Sequence, residues 1–287
     1  MNILSLFDGM SCGRIAAERA GLKVDKYYAS EVDKYAIQVS KANWPDIEHL
    51  GDVQNWREWD IDWSLIDLLI GGSPCQDVSF AGKGAGLEEG TRSSLLFTFI
   101  EIMNHIKSKN PYVLVMLENV TMRDTHKNQF TELMGCEPIL IRSEDHTPVV
   151  RNRLYWCNFH VNQPDKKDID FGDIREWGVP KSQAMYYSEK AFNWLTNHAK
   201  RKGKDFKIYT QSGKFQMLEA SMHKKYSSQR FFGILDSHGI RYPTITECER
   251  LHGVDDGYCS SVSPTQAYQM LGNGWQVDTI THIFSHL

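Results

Sequence analysis

Short apolar runs alternate with amphipathic stretches along the first 160 residues of the chain. Runs at 2–7, 26–32, 65–70, 112–117, 138–142 and 153–159 have the length of strands, and 65–70 and 112–117 are nearly unbroken, as strands covered on both faces must be. Between them, 13–20, 33–42 and 93–107 carry apolar positions at helical spacing, the first stopping at Gly21. This alternation predicts an α/β fold class, a doubly wound, mostly parallel sheet with helices on both faces. Ligands of such sheets bind beyond the carboxyl ends of the strands, so chemistry is expected there.

Past residue 160 the alternation stops. Residues 161–241 are polar, basic and aromatic, with a turn signal at Gln163-Pro164-Asp165. Residues 243–253 and 264–287 read as helical again, the last stretch amphipathic through Ala267, Met270, Leu271, Val277, Ile280, Ile283 and Phe284. The expected organisation is a main domain at 1–160, a small second domain at 161–241, and a return at 242–287 that completes the first. No internal repeat interrupts it.

Composition bounds this picture. The chain has 287 residues, 41% apolar and 24% charged, the balance of a soluble protein with a full core. No segment reaches the length of a membrane span, and the N-terminus runs straight into a strand without a signal peptide, so no membrane partner is expected. Six cysteines lack C-x-x-C spacing, which suits reduced thiols of a cytoplasmic protein better than a disulfide frame or a zinc site. No metal is expected. The net charge of −4 is unevenly spread: residues 181–230 hold eleven Lys and Arg against three Asp and Glu, a local +8 that leaves −12 elsewhere. Aromatic residues interleave this basic stretch. A solvated face is the ordinary reading of such a run, but Lys200-Arg201-Lys202-Gly203-Lys204 reads as a loop that contacts phosphates.

Four strand ends carry chemistry. Phe7-Asp8-Gly9-Met10-Ser11-Cys12-Gly13 follows the first strand, where glycines and a helix N-terminus let a ligand approach the backbone. Glu31, after the second strand, suits a grip on a ribose diol, and Asp52, in Gly51-Asp52-Val53, suits an exocyclic adenine amine. Together they point to an adenosyl cofactor, and the absence of a G-K-[ST] cradle disfavours ATP. Gly71-Gly72-Ser73-Pro74-Cys75-Gln76 presents a thiol at the end of a buried strand. Gly82, Gly84, Gly86 and Gly90 then describe a lid able to close over substrate. Glu118-Asn119-Val120 ends the next strand with a carboxyl group. Arg151 and Arg153 could aim two guanidinium groups at the same edge, lowering the thiol pKa and holding a base.

In this order the motifs resemble those of the DNA (cytosine-5)-methyltransferases, through nearly the whole chain. Phe7-Asp8-Gly9 with Gly13 matches the cofactor loop, Pro74-Cys75-Gln76 the nucleophile motif, Glu118-Asn119-Val120 the base-holding motif and Arg151-Asn152-Arg153 the paired-arginine motif. The 244–251 stretch resembles the motif that follows the target-recognition domain, and Gly272-Asn273-Gly274 the final motif. Ser11 in the first loop and Gly274-Trp275-Gln276-Val277 are closer to the de novo branch. Thr246 stands where many members carry arginine, and 161–241 matches no readable pattern.

The resemblance implies a Rossmann-like catalytic domain binding S-adenosyl-L-methionine, a target-recognition domain at 161–241, and a cofactor pocket of Phe7, Gly9, Gly13, Glu31, Val32, Asp52, Val53, Asn273 and Trp275. Ser79, Lys200, Arg201, Lys202 and Lys204 are the expected contacts to double-stranded DNA. Catalysis is assigned to Cys75, Glu118, Arg151 and Arg153. The Cys75 thiolate would attack carbon 6 of a flipped-out cytosine, Glu118, protonated or sharing a proton, would hydrogen-bond N3 and the exocyclic amine, and carbon 5 would take the methyl group. A monomer is expected, with a cognate restriction endonuclease as a functional partner. The competing readings are a tRNA methyltransferase on the same scaffold, disfavoured by a missing Cys-Phe-Thr signature, and a silent DNA-binding relative, disfavoured by the intact catalytic set. A dehydrogenase lacks its dinucleotide fingerprint here, and transfer of a group other than methyl stays open.

Overall fold

The computed structural model describes residues 1–73, 94–227 and 231–287. Pro74-Cys75-Gln76, Ser79 and the glycines at 82–90 lie outside the described residues. In chain order the elements are β1 (Asn2–Leu6), α1 (Cys12–Arg19), β2 (Lys26–Ser30), α2 (Lys34–Asn43), β3 (Glu48–His49), β4 (Leu68–Gly72), α3 (Ser94–Lys109), β5 (Leu114–Val120), α4 (Asp124–Met134), β6 (Pro138–Arg142), β7 (Asn152–Cys157), α5 (Glu189–Arg201), β8 (Lys207–Tyr209), β9 (Phe232–Asp236), β10 (Gly239–Arg241), α6 (Ile245–His252), α7 (Pro264–Asn273) and α8 (Val277–Phe284).

The chain divides into two compact bodies. The first holds residues 1–142, 152–164 and 277–287; the second holds 143–151 and 165–276. The 242–287 stretch, expected to return as one piece, is therefore shared, with α6 and α7 in the second body and α8 in the first. Its helical run is broken at Gly274, which leaves the helical region with ψ 165°.

The first body is built on a seven-stranded sheet in the order β3-β2-β1-β4-β5-β7-β6. The first five strands are parallel. β7 runs antiparallel to both β5 and β6, because no crossover helix separates it from β6. Alternate residues of each strand face opposite sides. Leu4, Leu6, Leu69, Val115 and Leu117 join one core cluster with Phe99, Ile102 and Phe130 from α3 and α4, while Ile3, Ile70 and Met116, at the intervening positions, are buried too. Burial on both faces is what the unbroken apolar runs required. α1 packs on α8, with Arg19 bridging to Asp278 at 3.6 Å. Gly71 in β4 has no room for a side chain: a Cβ would come within 2.9 Å of the Phe99 ring and 3.0 Å of the Leu6 carbonyl.

The second body has a three-stranded sheet, β10-β9-β8, with β9 antiparallel to β10 and parallel to β8. Phe171, Tyr209, Phe215, Phe232 and Tyr242 stack into its core, with successive ring centroids 4.3–5.4 Å apart from Tyr209 through Phe215 and Phe232 to Tyr242. α5 buries Leu195 and Ala199 against Phe231. A capping box starts α6: Glu247 N–H donates to Thr244 Oγ1 at 3.1 Å, and Thr244 N–H donates to the Glu247 carboxylate at 2.9 Å. Among the described residues no helix is long and apolar enough to cross a membrane.

Candidate active site

In the first body the chemistry-bearing residues gather along one edge of the sheet. Phe7 to Gly9 follow β1, Glu31 follows β2, Asp52 follows β3, Ser73 follows β4, and Glu118 to Val120 end β5. Because β7 is antiparallel, its first residues, including Arg153, meet that same edge. The order 3-2-1-4-5 also puts the reversal of strand order between β1 and β4, the place where such sheets open a crevice.

The loop after β1 is held in an unusual shape. Phe7, Gly9 and Ser11 all adopt left-handed backbone, with φ of 58°, 61° and 64°. Glycine takes this conformation freely, whereas phenylalanine and serine do so only where neighbouring structure holds them. Asp8 N–H donates to the Ser30 carbonyl at 3.1 Å, and Gly9 N–H donates to Glu31 Oε2 at 2.8 Å. Glu31 Oε1 accepts from the N–H groups of Val32 and Asp33 at 2.7 and 2.9 Å. Three of the roughly four acceptor positions of this carboxylate are thus filled, which leaves one for a ligand hydroxyl. Val32 beside it is 68% exposed, an apolar side chain at the site mouth. Asp52 is exposed and accepts from Gln54 N–H at 2.9 Å through Oδ1, while Val53 is buried. Gly13 is buried inside α1.

Asp8 was visible in the sequence only as part of a motif. Burial pushes its carboxyl up to about 6, opposed by hydrogen bonds from Ser11 and Tyr27. Burial and the Asp8 charge push the Tyr27 hydroxyl well above its ordinary range.

At the end of β5, Glu118 and Arg153 form a diagonal cross-strand pair. Glu118 stands opposite Tyr155 and Arg153 opposite Val120, and Arg153 Nε lies 2.9 Å from Glu118 Oε1. Each residue is 8% exposed, so the pair is largely desolvated. Asn119 points to the other face, where its amide donates to Ser73 Oγ at 3.0 Å and to the Ser73 carbonyl at 3.3 Å. That bond fixes the residue from which the chain continues into Pro74 and Cys75. Asn119 was not picked from the sequence, although its position beside Glu118 was the available signal.

Arg151 does not share the environment of Arg153. It belongs to the second body, is buried, and donates to the Gly274 carbonyl at 2.7 Å and the Asn273 carbonyl at 3.4 Å. Among the described residues Arg151 bonds the carboxyl end of α7 and Arg153 bonds Glu118; the thiol at which both were expected to point lies outside the described residues. Asn273 ends α7 and Trp275 follows it. Gly272 is required for close approach, since a Cβ there would meet the Glu219–Ala220 backbone at 2.1 Å.

The basic run is not a loop throughout. Lys200 and Arg201 form the last turn of α5 and Lys202 its cap, with Gly203 (φ 65°) turning the chain before Lys204. Lysine and arginine sustain a helix and complement its negative end, so the chain is helical through Arg201, where the sequence reads as a loop. All four cations are exposed. Trp194 lies on the same helix, stacked on His198 with centroids 5.1 Å apart. Among the described residues no group of three or more His, Cys, Asp or Glu is placed to hold a metal ion.

A mostly parallel sheet with a left-handed loop, a partly satisfied carboxylate and a desolvated Glu–Arg pair at the strand ends is a ligand-binding arrangement of the doubly wound class. Comparison with known proteins specifies it. The profile of the C-5 cytosine-specific DNA methylase family matches residues 1–135 and 147–287. Type II methyltransferase M1.ScrFI of Lactococcus lactis subsp. cremoris is 30% identical over 97% of this chain and 75% of its own length. Type II methyltransferase M.HpaII of Haemophilus parainfluenzae is 28% identical over 96% and 86%. Among solved structures, Dnmt2 methyltransferase of S. pombe superposes with a TM-score of 0.72 at 18% identity, covering 99% of this chain and 97% of that one, a likeness of fold. The chain belongs to the C-5 cytosine-specific DNA methylase family, and its activity is that of a DNA (cytosine-5)-methyltransferase.

Proposed function

We propose that this chain methylates carbon 5 of a flipped-out cytosine in double-stranded DNA with Cys75 as nucleophile, Glu118 and Arg153 as the base-holding pair, and S-adenosylmethionine held at the ends of β1 to β3. The observation that carries the reading is the Glu118–Arg153 contact of 2.9 Å at the same sheet edge as the chain's approach to Cys75. Bound S-adenosylmethionine supplies an electrophilic methyl group; the remaining work falls to side chains. Carbon 5 of cytosine is a poor nucleophile until a thiolate adds to carbon 6, which turns the ring into an enamine. The Cys75 Sγ–carbon 6 bond forms as negative charge grows toward N3. Glu118, carrying or sharing a proton, donates it to N3 and accepts from the exocyclic amine, and so offsets that charge, while Arg153 keeps the Glu118 carboxyl group aimed. After methylation, loss of the carbon 5 proton expels the Cys75 thiolate.

The donor set at the first three strands suits an adenosyl group. Glu31 keeps one acceptor position for a ribose hydroxyl, Asp52 an unshared carboxylate oxygen for an amine, and Phe7 and Val32 apolar surface for a purine. Arg151 is a positioning residue, holding the carbonyls of Asn273 and Gly274 and with them the segment that carries Trp275. We assign 161–241 to target recognition, with Lys200, Arg201, Lys202, Lys204 and Ser79 as DNA contacts. The naming of the relatives as Type II methyltransferases supports a cognate restriction endonuclease as partner.

Incubation with 5-fluorocytosine DNA and S-adenosylmethionine tests the reaction, since fluorine cannot leave carbon 5 as a proton does. A covalent complex heavier by one methyl group, abolished in Cys75→Ser, is the expected product. A complex of equal yield in Cys75→Ser would remove Cys75 from the mechanism.

A further inference from the structure

Beneath the loop after β1 runs a chain of hydrogen bonds that the reaction above does not use. Tyr27 O–H donates to Asp8 Oδ1 at 2.7 Å, and Ser11 Oγ lies 2.5 Å from Asp8 Oδ2. Ser40 Oγ is 2.6 Å from Ser11 Oγ, and His49 Nε2 is 3.3 Å from Ser40 Oγ. Five side chains from the loop, β2, α2 and β3 are thereby tied together, with both serines fully buried. Ser11 occupies the N-cap position of α1, yet its hydroxyl makes no capping bond there. Asp8 also sits between Phe7 and Ser11, the two non-glycine residues with left-handed backbone among the described residues.

We propose that Asp8 is the positioning residue of this loop, and that the Tyr27–Asp8–Ser11–Ser40–His49 chain holds the loop's shape with a polarity set by the protonation of Asp8. The inference rests on the reading of the loop as the adenosyl-cofactor site. A hydroxyl has one proton to give. With Asp8 as carboxylate, Ser11 donates to it, Ser40 donates to Ser11, and His49 must donate from Nε2–H to Ser40. With a proton on Asp8 Oδ2, Ser11 accepts, then donates to Ser40, which donates to an unprotonated Nε2. The imidazole proton must then sit on Nδ1. The direction of the whole chain reverses, and the tautomer of His49 reports it.

The two polarities differ in cost. Among the described residues His49 Nδ1 is buried without a hydrogen-bond partner. A lone pair is tolerated there more cheaply than an N–H donor, so the far end of the chain favours the carboxylate state. Burial at the near end favours the protonated state and brings the Asp8 transition up to about 6. The other groups facing the chain are Glu31, whose charge also raises Asp8, Cys12 of α1 near Tyr27, and Lys41 of α2 near His49. Burial and Lys41 hold His49 below its ordinary value, which favours the neutral imidazole, the form that can switch tautomer. Gly9, next to Asp8, gives its N–H to Glu31, so the loop's shape and the ribose carboxylate move together.

Nitrogen-15 NMR of His49 in the full chain from pH 5 to 8 reads the polarity without any cofactor. The expected result is Nε2–H above the transition, a change to Nδ1–H below it with a midpoint near 6, and Nδ1–H at every pH in Asp8→Asn, whose amide can donate to Ser11. One tautomer throughout, in both proteins, overturns the proposal. Calorimetry with S-adenosylhomocysteine tests the positioning role: Asp8→Ala should weaken binding about tenfold or more, and Asp8→Asn should recover most of it. Unchanged affinity in Asp8→Ala with weakened affinity in Glu31→Ala overturns the positioning role alone. Unchanged affinity in both overturns the cofactor reading as well, while the tautomer result stands by itself. Should Asp8→Ala fail to fold, Ser40→Ala severs the chain at its middle, and persistence of the pH-dependent tautomer there counts against it.

Discussion

Each body of the molecule joins arginine to carboxylate, and the two arrangements do different work. In the second body Arg241 is wholly buried, with Nε 2.6 Å from Asp236 and Nη1 and Nη2 2.7 and 2.8 Å from Glu247. Arg241 also donates to the Glu176 carbonyl, and Arg175 donates to the carbonyls of Thr210 and Leu235. Glu247 in turn closes the capping box of α6. This cluster fastens β9, β10 and α6 into one piece. In the first body Arg153 Nε lies 2.9 Å from Glu118 Oε1 at the end of β5, and Arg153 Nη1 donates to the Asn152 carbonyl at 2.9 Å. The closed ion cluster is architecture; the desolvated pair at the strand end is the one proposed above to bind a polar ring. Burial alone does not tell them apart, but placement does: one cluster joins two strands and a helix, the other stands at the end of a strand.

Breaking the closed cluster should have the largest effect. Arg241→Ala leaves two carboxylates buried without their partner, which costs about 3–5 kcal/mol of stability. Urea unfolding should report that loss. Burial alone would raise the Asp236 carboxyl, but bonds from Arg241 and from the N–H groups of Ser237, Gly178 and Val179 hold it well below the ordinary range. Its contribution is therefore present above the unfolded value of about 4 and fades as pH falls below it. The Arg241→Ala loss should accordingly shrink in acid. A loss under 1 kcal/mol at neutral pH would mean that the cluster is dispensable and that the comparison fails.

Glu118→Gln should show the opposite balance. The amide can still accept from Arg153 Nε, so stability should fall by only about 1 kcal/mol, the difference between a charged and a neutral hydrogen bond. Turnover should fall about 10²–10³-fold, as when one group opposite a developing charge is lost. Steady-state rates beside urea curves separate the two. Turnover within tenfold of the parent would place Glu118 with the architectural residues.

Those contrasts show where the sequence was legible. Most of the strand and helix order is legible because hydrophobic period and run length are local properties, and the strand-end positions of Glu31 and Glu118 come with it; the two-residue β3 before Asp52 and the polar helix α4 are not. Nor is the reversed direction of β7, since pairing direction leaves no mark on a single apolar run. Arg151 and Arg153 look equivalent two residues apart, yet one reaches the end of α7 and the other Glu118, partners distant in sequence. Asp8 was readable as a motif letter, whereas its ties to Tyr27, Ser11 and the residues beyond needed the fold. The ending of α5 was mistaken for a loop because lysine is equally at home in both.

That last ambiguity is also the smallest expected effect, and it can be resolved. Lys200 and Arg201 close α5, where cations complement the helix dipole by about 0.3–1 kcal/mol each at low salt. If that is their whole purpose, replacing Lys200, Arg201, Lys202 and Lys204 by glutamine should lower stability slightly and leave DNA affinity and its salt dependence unchanged. If they meet phosphates, each lost contact should flatten the slope of log affinity against log salt by about 0.9. The buried face of α5, Leu195 and Ala199, is untouched by these changes, so the helix should persist in either case. A slope flattened with stability nearly constant assigns the end of α5 to DNA. An unaltered slope returns it to the helix alone, and target recognition would then have to draw its phosphate contacts from the other cations of the 181–230 stretch, Lys207, Lys214 and Lys224 among them.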